Sequence, residues 1–521
     1  MTPKLFPAKT ARGLADRIAS VCGWDRAYVP VRLPGGWVLA GRREASRTLA
    51  VGWLPKPPAW AAALGRLPKS EHPLKEFMVW SFDATHDVLR ALRTSLPFLA
   101  PRPSGRHASV GFGDRTGLAT PGHAASLAGT KLFPIFAQQS IREMTRTGRS
   151  PDEVMDDAVF GALQAGWIRG FGADADHLKT PEDVARTAAA GFVLFTLDVG
   201  DHIGKDVAAM DDATLAAAAQ RVLAEVPGAA GWPKAYLGRT FRFPGFKVGF
   251  DDRTFRETVV KYGRAVAKAA ELAEAARRAC GKAPCEIEMS VDETSEDTTE
   301  ADHVFVAREL KARGVRIAAI APKFVGSFEK GIEYKGDLGG FVAAFRRHAA
   351  IAKALGGHKL SVHSGSDKFA LYPFVAKHAR GRFHLKTAGT SWLEALRAVV
   401  RLDPALFREV VDLARGRYET DRASYHISGR LEDVPPPSAL PDAELETAYL
   451  ESAGGRQILH VTYGSVFQSA LRARVFDVLV RGEAEHHACV QRHLRRHVAP
   501  LAGLRDEPGP ARRALRLPAA R

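Results

Sequence analysis

The sequence predicts a (β/α)8 barrel, of the TIM-like α/β class, with an N-terminal α+β unit and a C-terminal helical extension. Three observations support this fold class: eight short apolar runs recur within residues 106–388, each ends in polar or charged residues, and most precede helical sequence. The predicted strands are 109–115, 132–140, 167–180, 191–202, 285–293, 315–324, 358–368 and 382–389. A doubly wound parallel sheet is the alternative, because one sequence does not give the strand order.

Four segments are expected along the chain. Residues 1–105 form an α+β cap unit, because apolar and polar residues alternate around a Pro-Gly-Gly turn at 34–36. The catalytic barrel covers 106–400 and contains an insertion near 203–250. A mainly helical extension covers 401–500, and the basic tail 501–521 is expected to be disordered.

Composition restricts the class of protein. A chain of 521 residues with 46% hydrophobic and 25% charged residues is typical of a globular protein, and no apolar run is long enough to cross a bilayer. Four cysteines do not make a disulfide framework, which predicts a cytoplasmic protein. The net charge of +16 is spread along the chain, which favours a basic surface or an anionic substrate over nucleic acid.

Polar side chains at the ends of the predicted strands are the candidates for an active site. In barrels of this kind the loops at the carboxyl ends of the strands converge and carry the chemistry. The candidates are Asp114, Arg115, Gln138, Gln139, Asp176, His177, Lys179, Asp198, Glu288, Lys323, His363, Asp367, Lys386 and Thr387.

The third and fifth predicted strands carry the main acidic groups. Asp174, Asp176 and His177 follow an apolar run, where an imidazole beside carboxylates can ligate a divalent ion and a carboxylate can transfer protons. The alternative is a capped loop in which an aspartate accepts backbone N–H bonds. Glu286 and Glu288 share one face of a strand, and Glu288 lies nearer the rim, where chemistry is expected.

Later strands add further candidates. His363 can ligate a metal, and the small residues after it can bind a carboxylate through backbone N–H groups. His384 shares the orientation of Lys386 one layer deeper and is expected to be a core residue. The loop "PKFVGSFEKGIEYKGD" offers Glu329 as a carboxylate ligand, with a solvated charged loop as the alternative.

The histidine-rich segment "AEHHACVQRHLRRH" (484–497) is not expected to bind metal. It reads as a basic helix that faces solvent, because it has one cysteine and no second cysteine pair. The metal site is expected at the strand ends instead, where histidines and carboxylates favour Mn²⁺, Ni²⁺, Co²⁺, Zn²⁺ or Mg²⁺. Basic residues on the same rim suit an anionic, hydroxylated substrate, so the residues predict a metal-dependent enzyme acting on a sugar acid or related carbonyl compound.

Several long motifs resemble those of the tagaturonate/fructuronate epimerase family. They cover roughly 110–470 and read "GFGDRTGLATPGH", "FAQQSIREMTRTGRSP", "GWIRGFGADADHLKT", "PKFVGSFEKGIEY", "KLSVHSGSDKF", "HLKTAGTSWLEALR" and "LHVTYGSVF". The resemblance implies a metal-dependent barrel epimerase that interconverts D-tagaturonate and D-fructuronate without a nicotinamide. It implies Asp176 as general base and Glu288 as the opposing acid/base, with His177, Glu329 and His363 as metal ligands.

Substrate contacts are expected from other residues of the rim. They are Asp114, Arg115, Gln138, Gln139, Lys179, Lys323, Ser364, Asp367 and Lys386. The alternative enzyme is a metal-dependent ketose isomerase or aldolase, and the alternative of another class is a basic nucleic-acid-binding protein with an inactive barrel. Retro-aldol cleavage and direct proton transfer both stay open as mechanisms, as do the metal and the oligomeric state.

Overall fold

The computed structural model describes residues 2–292, 294 and 296–504. The chain begins with a mixed unit containing helices α1 (Ala8–Cys22) and α2 (His86–Ser95). Its antiparallel sheet consists of β1 (Lys4–Leu5), β2 (Arg26–Ala27), β3 (Val31–Leu33), β4 (Gly36–Arg43), β5 (Ser46–Trp53), β6 (Ser70–Pro73) and β7 (Met78–Asp83). The order is β1-β3-β4-β5-β7-β6, and β2 also pairs with β4. The predicted Pro-Gly-Gly turn joins β3 to β4.

Eight parallel strands close into a barrel, so the predicted barrel is confirmed and the open doubly wound sheet is excluded. Each strand lies inside one of the predicted runs. The barrel strands are β8 (Ser109–Gly113), β9 (Phe133–Ser140), β10 (Gly172–Leu178), β11 (Leu194–Asp198), β14 (Glu286–Val291), β15 (Ile317–Pro322), β16 (Lys359–Val362) and β17 (Phe383–Lys386), while β12 (Thr240–Phe243) and β13 (Phe246–Gly249) form a separate hairpin. The barrel closes where β17 pairs with β8, with Lys386 opposite Gly111.

Helices surround the barrel, and capping side chains stabilise their first turns. At α5, for example, Ser150 accepts a hydrogen bond from the Glu153 N–H and Pro151 takes the first helical position. The helices before the C-terminal extension are α3 (Thr120–Ser126), α4 (Ile141–Thr147), α5 (Pro151–Gln164), α6 (Pro181–Ala189), α7 (Asp212–Glu225), α8 (Trp232–Tyr236), α9 (Asp252–Cys280), α10 (Glu300–Ala312), α11 (Leu338–Ala354), α12 (Tyr372–Ala379) and α13 (Thr390–Leu402).

The segment between β11 and α9 contains α7, α8 and the β12–β13 hairpin. It is fixed to the outer helix α10, because Trp232 Nε1 and Tyr236 OH both donate to the Glu309 carboxylate at 2.6 Å. Phe305, one turn earlier on α10, packs against the same two aromatic rings. This segment therefore packs on the outer helical layer of the barrel.

The C-terminal extension is helical and covers part of the barrel. It consists of α14 (Pro404–Asp421), α15 (Asp442–Glu446), a π-helical turn (Thr447–Glu451), α16 (Ala453–Val461), α17 (Tyr463–Phe467), α18 (Leu471–Arg481) and α19 (Glu483–Leu501). Within the described ranges no helix is long and apolar enough to cross a membrane. Residues 505–521 of the predicted tail lie outside the described residues.

The expectation that the histidine-rich helix faces solvent is wrong. His486, His493 and His497 of α19 are buried. Helix α19 packs against α3, α12 and α13, so one face of it is part of the protein interior. The sequence contains the signal for this face, because its histidines, Cys489 and the apolar residues between them recur at helical spacing.

A chain of three buried histidines links α10 and α11. His303 Nδ1 lies 3.0 Å from His348 Nδ1, and His303 Nε2 lies 2.9 Å from His358 Nε2. His348 Nε2 lies 3.1 Å from the Thr298 carbonyl oxygen and must donate there, which fixes the tautomers along the chain. Burial lowers the pKa of all three side chains, to about 4 for His348 and His358, so the chain consists of neutral imidazoles.

We predict that the free energy of unfolding decreases as the pH falls from 6.5 toward 4. Unfolded histidines titrate near 6.5 and these three titrate lower, so the unfolded state binds more protons in this window and stability is lost as pH falls. Each such histidine lowers the free energy of unfolding by up to about 1.4 kcal/mol for each unit that the pH falls. Urea unfolding between pH 7.5 and 5 should show a smaller loss for His358→Gln than for the unchanged protein. The exposed His202→Gln is the control, and equal losses in all three proteins would contradict the prediction.

Candidate functional site

The ammonium of Lys386 lies among three buried carboxylates at the mouth of the barrel. Its Nζ is 2.6 Å from Asp176 Oδ1, 2.8 Å from Glu288 Oε1 and 3.0 Å from Asp174 Oδ2. It also donates to Thr196 Oγ at 2.7 Å. Because side chains alternate along a strand, Asp174 and Asp176 share the inward face of β10 and meet Glu288 of β14 there. One cation thus compensates carboxylates that would be costly to bury alone.

These contacts shift the pKa values of Asp176, Glu288 and Lys386 so that the charged form of each side chain is favoured. Burial alone would raise the pKa values of Asp176 and Glu288, but the Lys386 ammonium holds both below their usual values. Burial would also lower the pKa of Lys386, whereas Asp174 and Asp176 raise it well above its usual value. The charged forms therefore stabilise one another.

His363 lies between two carboxylates. Its Nε2 is 2.6 Å from Glu288 Oε1, and its Nδ1 is 3.1 Å from Asp292 Oδ1. Burial would lower the pKa of His363, but the charge of Asp292 and the hydrogen bonds raise it to about 10. A carboxylate on one ring nitrogen orients an imidazole and leaves the other nitrogen to face a metal or a reacting group.

His177 repeats this arrangement on the neighbouring strand. Its Nδ1 is 3.5 Å from Asp198 Oδ2, and its Nε2 is 3.8 Å from Asp176 Oδ1. The His177 and His363 rings lie 5.2 Å apart, nearly perpendicular to each other. Each imidazole therefore has an outer carboxylate at Nδ1 and a central carboxylate at Nε2.

Three non-glycine residues at the ends of β10 and β16 have left-handed backbone. The φ angles are 54° for His177, 48° for Ser364 and 61° for Asp367. Such conformations cost about 1–3 kcal/mol each and gather at functional sites, where the surrounding structure maintains them. Their grouping here supports the assignment of the mouth as the functional site.

The group around His177 and His363 has the donors that a divalent cation requires. Two imidazoles meet carboxylates from three strand ends, a nitrogen and oxygen set that suits Mn²⁺, Ni²⁺, Co²⁺ or Zn²⁺. Glu288 Oε2 is buried and has no hydrogen-bond partner among the described residues. A buried carboxylate oxygen without a partner is costly, and a bound cation would satisfy it.

Glu329, the third predicted metal ligand, does not join this group. Its Oε2 accepts hydrogen bonds from the Ser428 N–H and hydroxyl at 2.7 Å and from Gln457 Nε2 at 2.8 Å, while Oε1 lies 3.3 Å from Lys335 Nζ. Burial would raise the pKa of Glu329, but the hydrogen bonds from Gln457 and Ser428 lower it to about 2. The structure places this carboxylate against the C-terminal extension, because that is where its donors lie.

Asp367 belongs to a different cluster, formed with α19. Among the described residues, Asp367, His493 and His497 offer ligand atoms that all lie within 4.8 Å of one another, which makes them a candidate metal-binding triad. However, the lone pair of His497 Nε2 already accepts the Asp367 backbone N–H at 2.9 Å. His493 lies between two carboxylates, Asp367 Oδ1 at 2.5 Å and Glu394 Oε1 at 3.2 Å. These bonds join the loop after β16 to α13 and α19.

Asp114 and Arg115, predicted to contact substrate, make hydrogen bonds and an ion pair within the protein. Asp114 accepts hydrogen bonds from backbone N–H groups of the loop that follows it, including Ala119 at 2.7 Å. The Arg115 guanidinium is paired with Glu143 at 3.0 Å and lies 3.6 Å from the centre of the Tyr463 ring. Both side chains are buried.

The remaining predicted substrate residues lie around the mouth. Gln138 Nε2 donates to Asp176 Oδ2 at 3.3 Å, whereas both side-chain amide atoms of Gln139 are buried without a partner among the described residues. Lys179 Nζ is 2.8 Å from Asp201, and Lys323 Nζ donates to the Thr294 carbonyl at 2.5 Å.

Asp292 and Thr196 contact His363 and Lys386 in this site, although neither is among the candidates predicted from the sequence. Asp292 lies directly after β14, four residues beyond Glu288, and Thr196 shares its face of β11 with Asp198, two residues later. An even number of positions separates Asp292 from Glu288 and Thr196 from Asp198, and this spacing is the signal in the sequence that could have identified them.

The fold and this site define a (β/α)8-barrel enzyme with a histidine and carboxylate centre at the carboxyl ends of its strands. Residues 66–501 match the model of the family described as UxaE, tagaturonate epimerase. The chain belongs to the tagaturonate epimerase family, and the resemblance seen in the sequence is confirmed.

Individual relatives agree with this assignment. The chain is 41% identical to the tagaturonate/fructuronate epimerase of Thermotoga maritima over 423 residues, which cover 81% of this chain and 86% of that protein. The native crystal structure of the fructuronate-tagaturonate epimerase UxaE from Cohnella laeviribosi matches with a TM-score of 0.84 and 32% identity, over 95% of this chain and 99% of the other. A crystal structure of the same protein with one glycerol gives the same values.

We predict that Lys386→Met destabilises the fold by about 3–5 kcal/mol, because it leaves three carboxylates in the barrel mouth without their cation. Lys179→Met is the matched control, since it removes a half-exposed ion pair from the same rim and should cost less than about 1 kcal/mol. Urea unfolding at pH 7.5 measures both changes. Equal effects of the two substitutions would show that Lys386 does not compensate the buried carboxylates.

Proposed function

We propose that this chain interconverts D-tagaturonate and D-fructuronate by inverting one hydroxyl-bearing carbon. The observation that carries the proposal is the meeting of Asp176, Glu288, His177 and His363 in one barrel mouth. The 41% identity between this chain and a tagaturonate/fructuronate epimerase supports the substrate assignment. The aldolase, ketose isomerase and nucleic-acid alternatives receive no such support.

Asp176 and Glu288 are the proposed acid/base pair. Their carboxylates approach the same ammonium from β10 and β14, so a substrate in the mouth lies within reach of both. Lys386 then orients the pair, which is a different role from the substrate contact predicted from the sequence. Asp198 and Asp292 orient His177 and His363.

His177 and His363 would hold a divalent cation through their Nε2 atoms, with a carboxylate of the central group as a further ligand. We propose this carboxylate in place of Glu329, whose oxygens are engaged by Ser428 and Gln457. When bound, the cation supplies Lewis-acid stabilisation of negative charge on substrate oxygens. Mn²⁺, Ni²⁺, Co²⁺, Zn²⁺ and Mg²⁺ are the candidates.

The inverted carbon is not adjacent to the ketone, so its C–H bond lacks the acidity of an α-position. In the retro-aldol hypothesis, a base takes the proton of the hydroxyl on the inverting carbon. The bond to the neighbouring carbon breaks, the aldehyde rotates, and the bond forms again on its other face. In the competing scheme Asp176 and Glu288 remove and return the carbon-bound proton from opposite faces.

A cytoplasmic location completes the proposal. All four cysteines are free thiols, as expected in a reducing compartment. We also propose that the barrel covers residues 106–400 and the helical extension residues 401–500.

We predict that Asp176→Asn and Glu288→Gln each lower kcat by about 10²- to 10⁴-fold while the protein stays folded, because each removes a proton-transfer group. The assay follows both uronates by NMR with protein stripped of metal and then reconstituted. Asp201→Asn, an exposed aspartate of the same rim, is the matched control and should keep normal activity. Inactivity of the unchanged, reconstituted protein on both uronates would refute the proposed function.

We predict that His363→Ala abolishes stoichiometric metal binding and that Glu329→Gln keeps it, because the Glu329 carboxylate lies against Ser428 and Gln457. Metal content after gel filtration, measured by inductively coupled plasma mass spectrometry, gives the comparison. If Glu329→Gln lost its metal while His363→Ala kept it, the prediction would be contradicted and Glu329 would be a metal ligand.

We predict no carbon-bound deuterium at the inverted centre when the reaction runs in D₂O, as the retro-aldol route requires. NMR of the isolated product measures the label. Deuterium at that carbon would favour proton transfer between Asp176, Glu288 and the substrate.

A further inference from the structure

Lys330, a cation at the barrel mouth, has the neutral hydroxyl of Ser364 as its partner. It lies in the loop after β15, is half-buried, and donates to Ser364 Oγ at 2.6 Å. Among the described residues no carboxylate oxygen lies within 4.0 Å of its ammonium. A partly desolvated cation without a counter-charge is unfavourable unless an anion binds beside it.

The neighbouring basic groups already have partners. Lys368 is close to Ser364 in the sequence. Its ammonium donates to the backbone carbonyls of Glu329, Ile332 and Ser366. The others are paired with carboxylates: Arg115 with Glu143, Lys335 with Glu329, Lys386 with Asp176 and Arg456 with Asp367. Lys330 is therefore the cation of this group that is open to an external anion.

The position of Lys330 is beside the catalytic histidines. Its partner Ser364 directly follows His363, and the next residue of its own loop, Gly331, borders His460. A Cβ atom on Gly331 would lie 3.4 Å from His460 Nδ1, a buried nitrogen without a hydrogen-bond partner in the described part of the chain. Burial, followed by the charges of Arg115 and Lys330, holds the pKa of His460 well below its usual value, so this imidazole is neutral.

We propose that Lys330 binds the carboxylate of the hexuronate substrate, with the Ser364 hydroxyl as a second donor. The inference rests on the proposed function and adds to it the residue that recognises the charge of the substrate. A carboxylate distinguishes a hexuronate from a neutral ketohexose, and an ammonium with a hydroxyl beside it matches the two oxygens.

The retro-aldol route would give this contact a second consequence. Cleavage between the third and fourth carbons divides the hexuronate into a three-carbon enediolate and the aldehyde O=CH–CHOH–COO⁻. The proton leaves from the fourth-carbon hydroxyl, and the bonding pair goes to the enediolate. The aldehyde fragment carries the carboxylate, so Lys330 would retain it while its other end rotates. An anchor at the carboxylate leaves that rotation unrestricted.

Steady-state kinetics of Lys330→Met on tagaturonate and fructuronate test the inference. We expect the KM for both uronates to rise at least about tenfold, the size of a lost charge-assisted hydrogen bond. Lys330→Arg should recover most of the affinity. Lys335→Met is the matched control, because Lys335 lies on the same loop and pairs with Glu329, and its KM should change less than about twofold. Metal content and thermal unfolding report on the integrity of each variant.

The outcomes separate the two proposals. An active unchanged protein whose KM is unaffected by Lys330→Met would overturn the role of Lys330 and leave the epimerase function intact. An equal rise of the KM in Lys330→Met and Lys335→Met would also overturn the role of Lys330, because the effect would then come from general charge attraction. Inactivity of the unchanged protein on both uronates would refute the function itself.

Discussion

The ion cluster centred on Lys386 is the constraint on which the rest of the site depends. Three carboxylates from β10 and β14 are buried in the barrel mouth, and such groups are tolerated only with a cation among them. Lys386 supplies that cation from β17, so three strands far apart in sequence must keep their register for the cluster to form. His363 then meets Glu288, and His177 meets Asp176, at positions that the cluster determines. The acidic site is thus built into the wall of the barrel.

The C-terminal extension determines the shape of the other half of the mouth. Ser428 and Gln457 hold Glu329, which fixes the loop that carries Lys330. Helix α19 and Arg456 hold Asp367, which fixes the loop that carries Ser364. The loops after β15 and β16 therefore depend on the extension for their conformation. Loss of these contacts would alter substrate binding before it altered the barrel strands.

The sequence predicted what depends on local periodicity. All eight barrel strands were found because each apolar run ends in polar residues, and the convergence of strand ends in a barrel placed Asp176, His177, Glu288 and His363 at one rim. The sequence did not show which groups pair when a partner lies far along the chain. Glu329 is held by residues 99 and 128 positions away, and no local pattern distinguishes such a carboxylate from a metal ligand. The histidines of α19 were read by their chemistry, although their helical spacing already indicated a buried face.

The two lysines at the mouth have opposite electrostatic situations, and this contrast gives a reason for the basic composition of the rim. Lys386 is buried and its charge is used by Asp174, Asp176 and Glu288, so it contributes little attraction to an incoming anion. An acidic centre on its own repels a hexuronate. A second cation that is not neutralised internally is needed for the substrate to approach, and Lys330 supplies it at the edge of the same site. Positive charge near an acidic active site is therefore consistent with an anionic sugar substrate, without any nucleic acid.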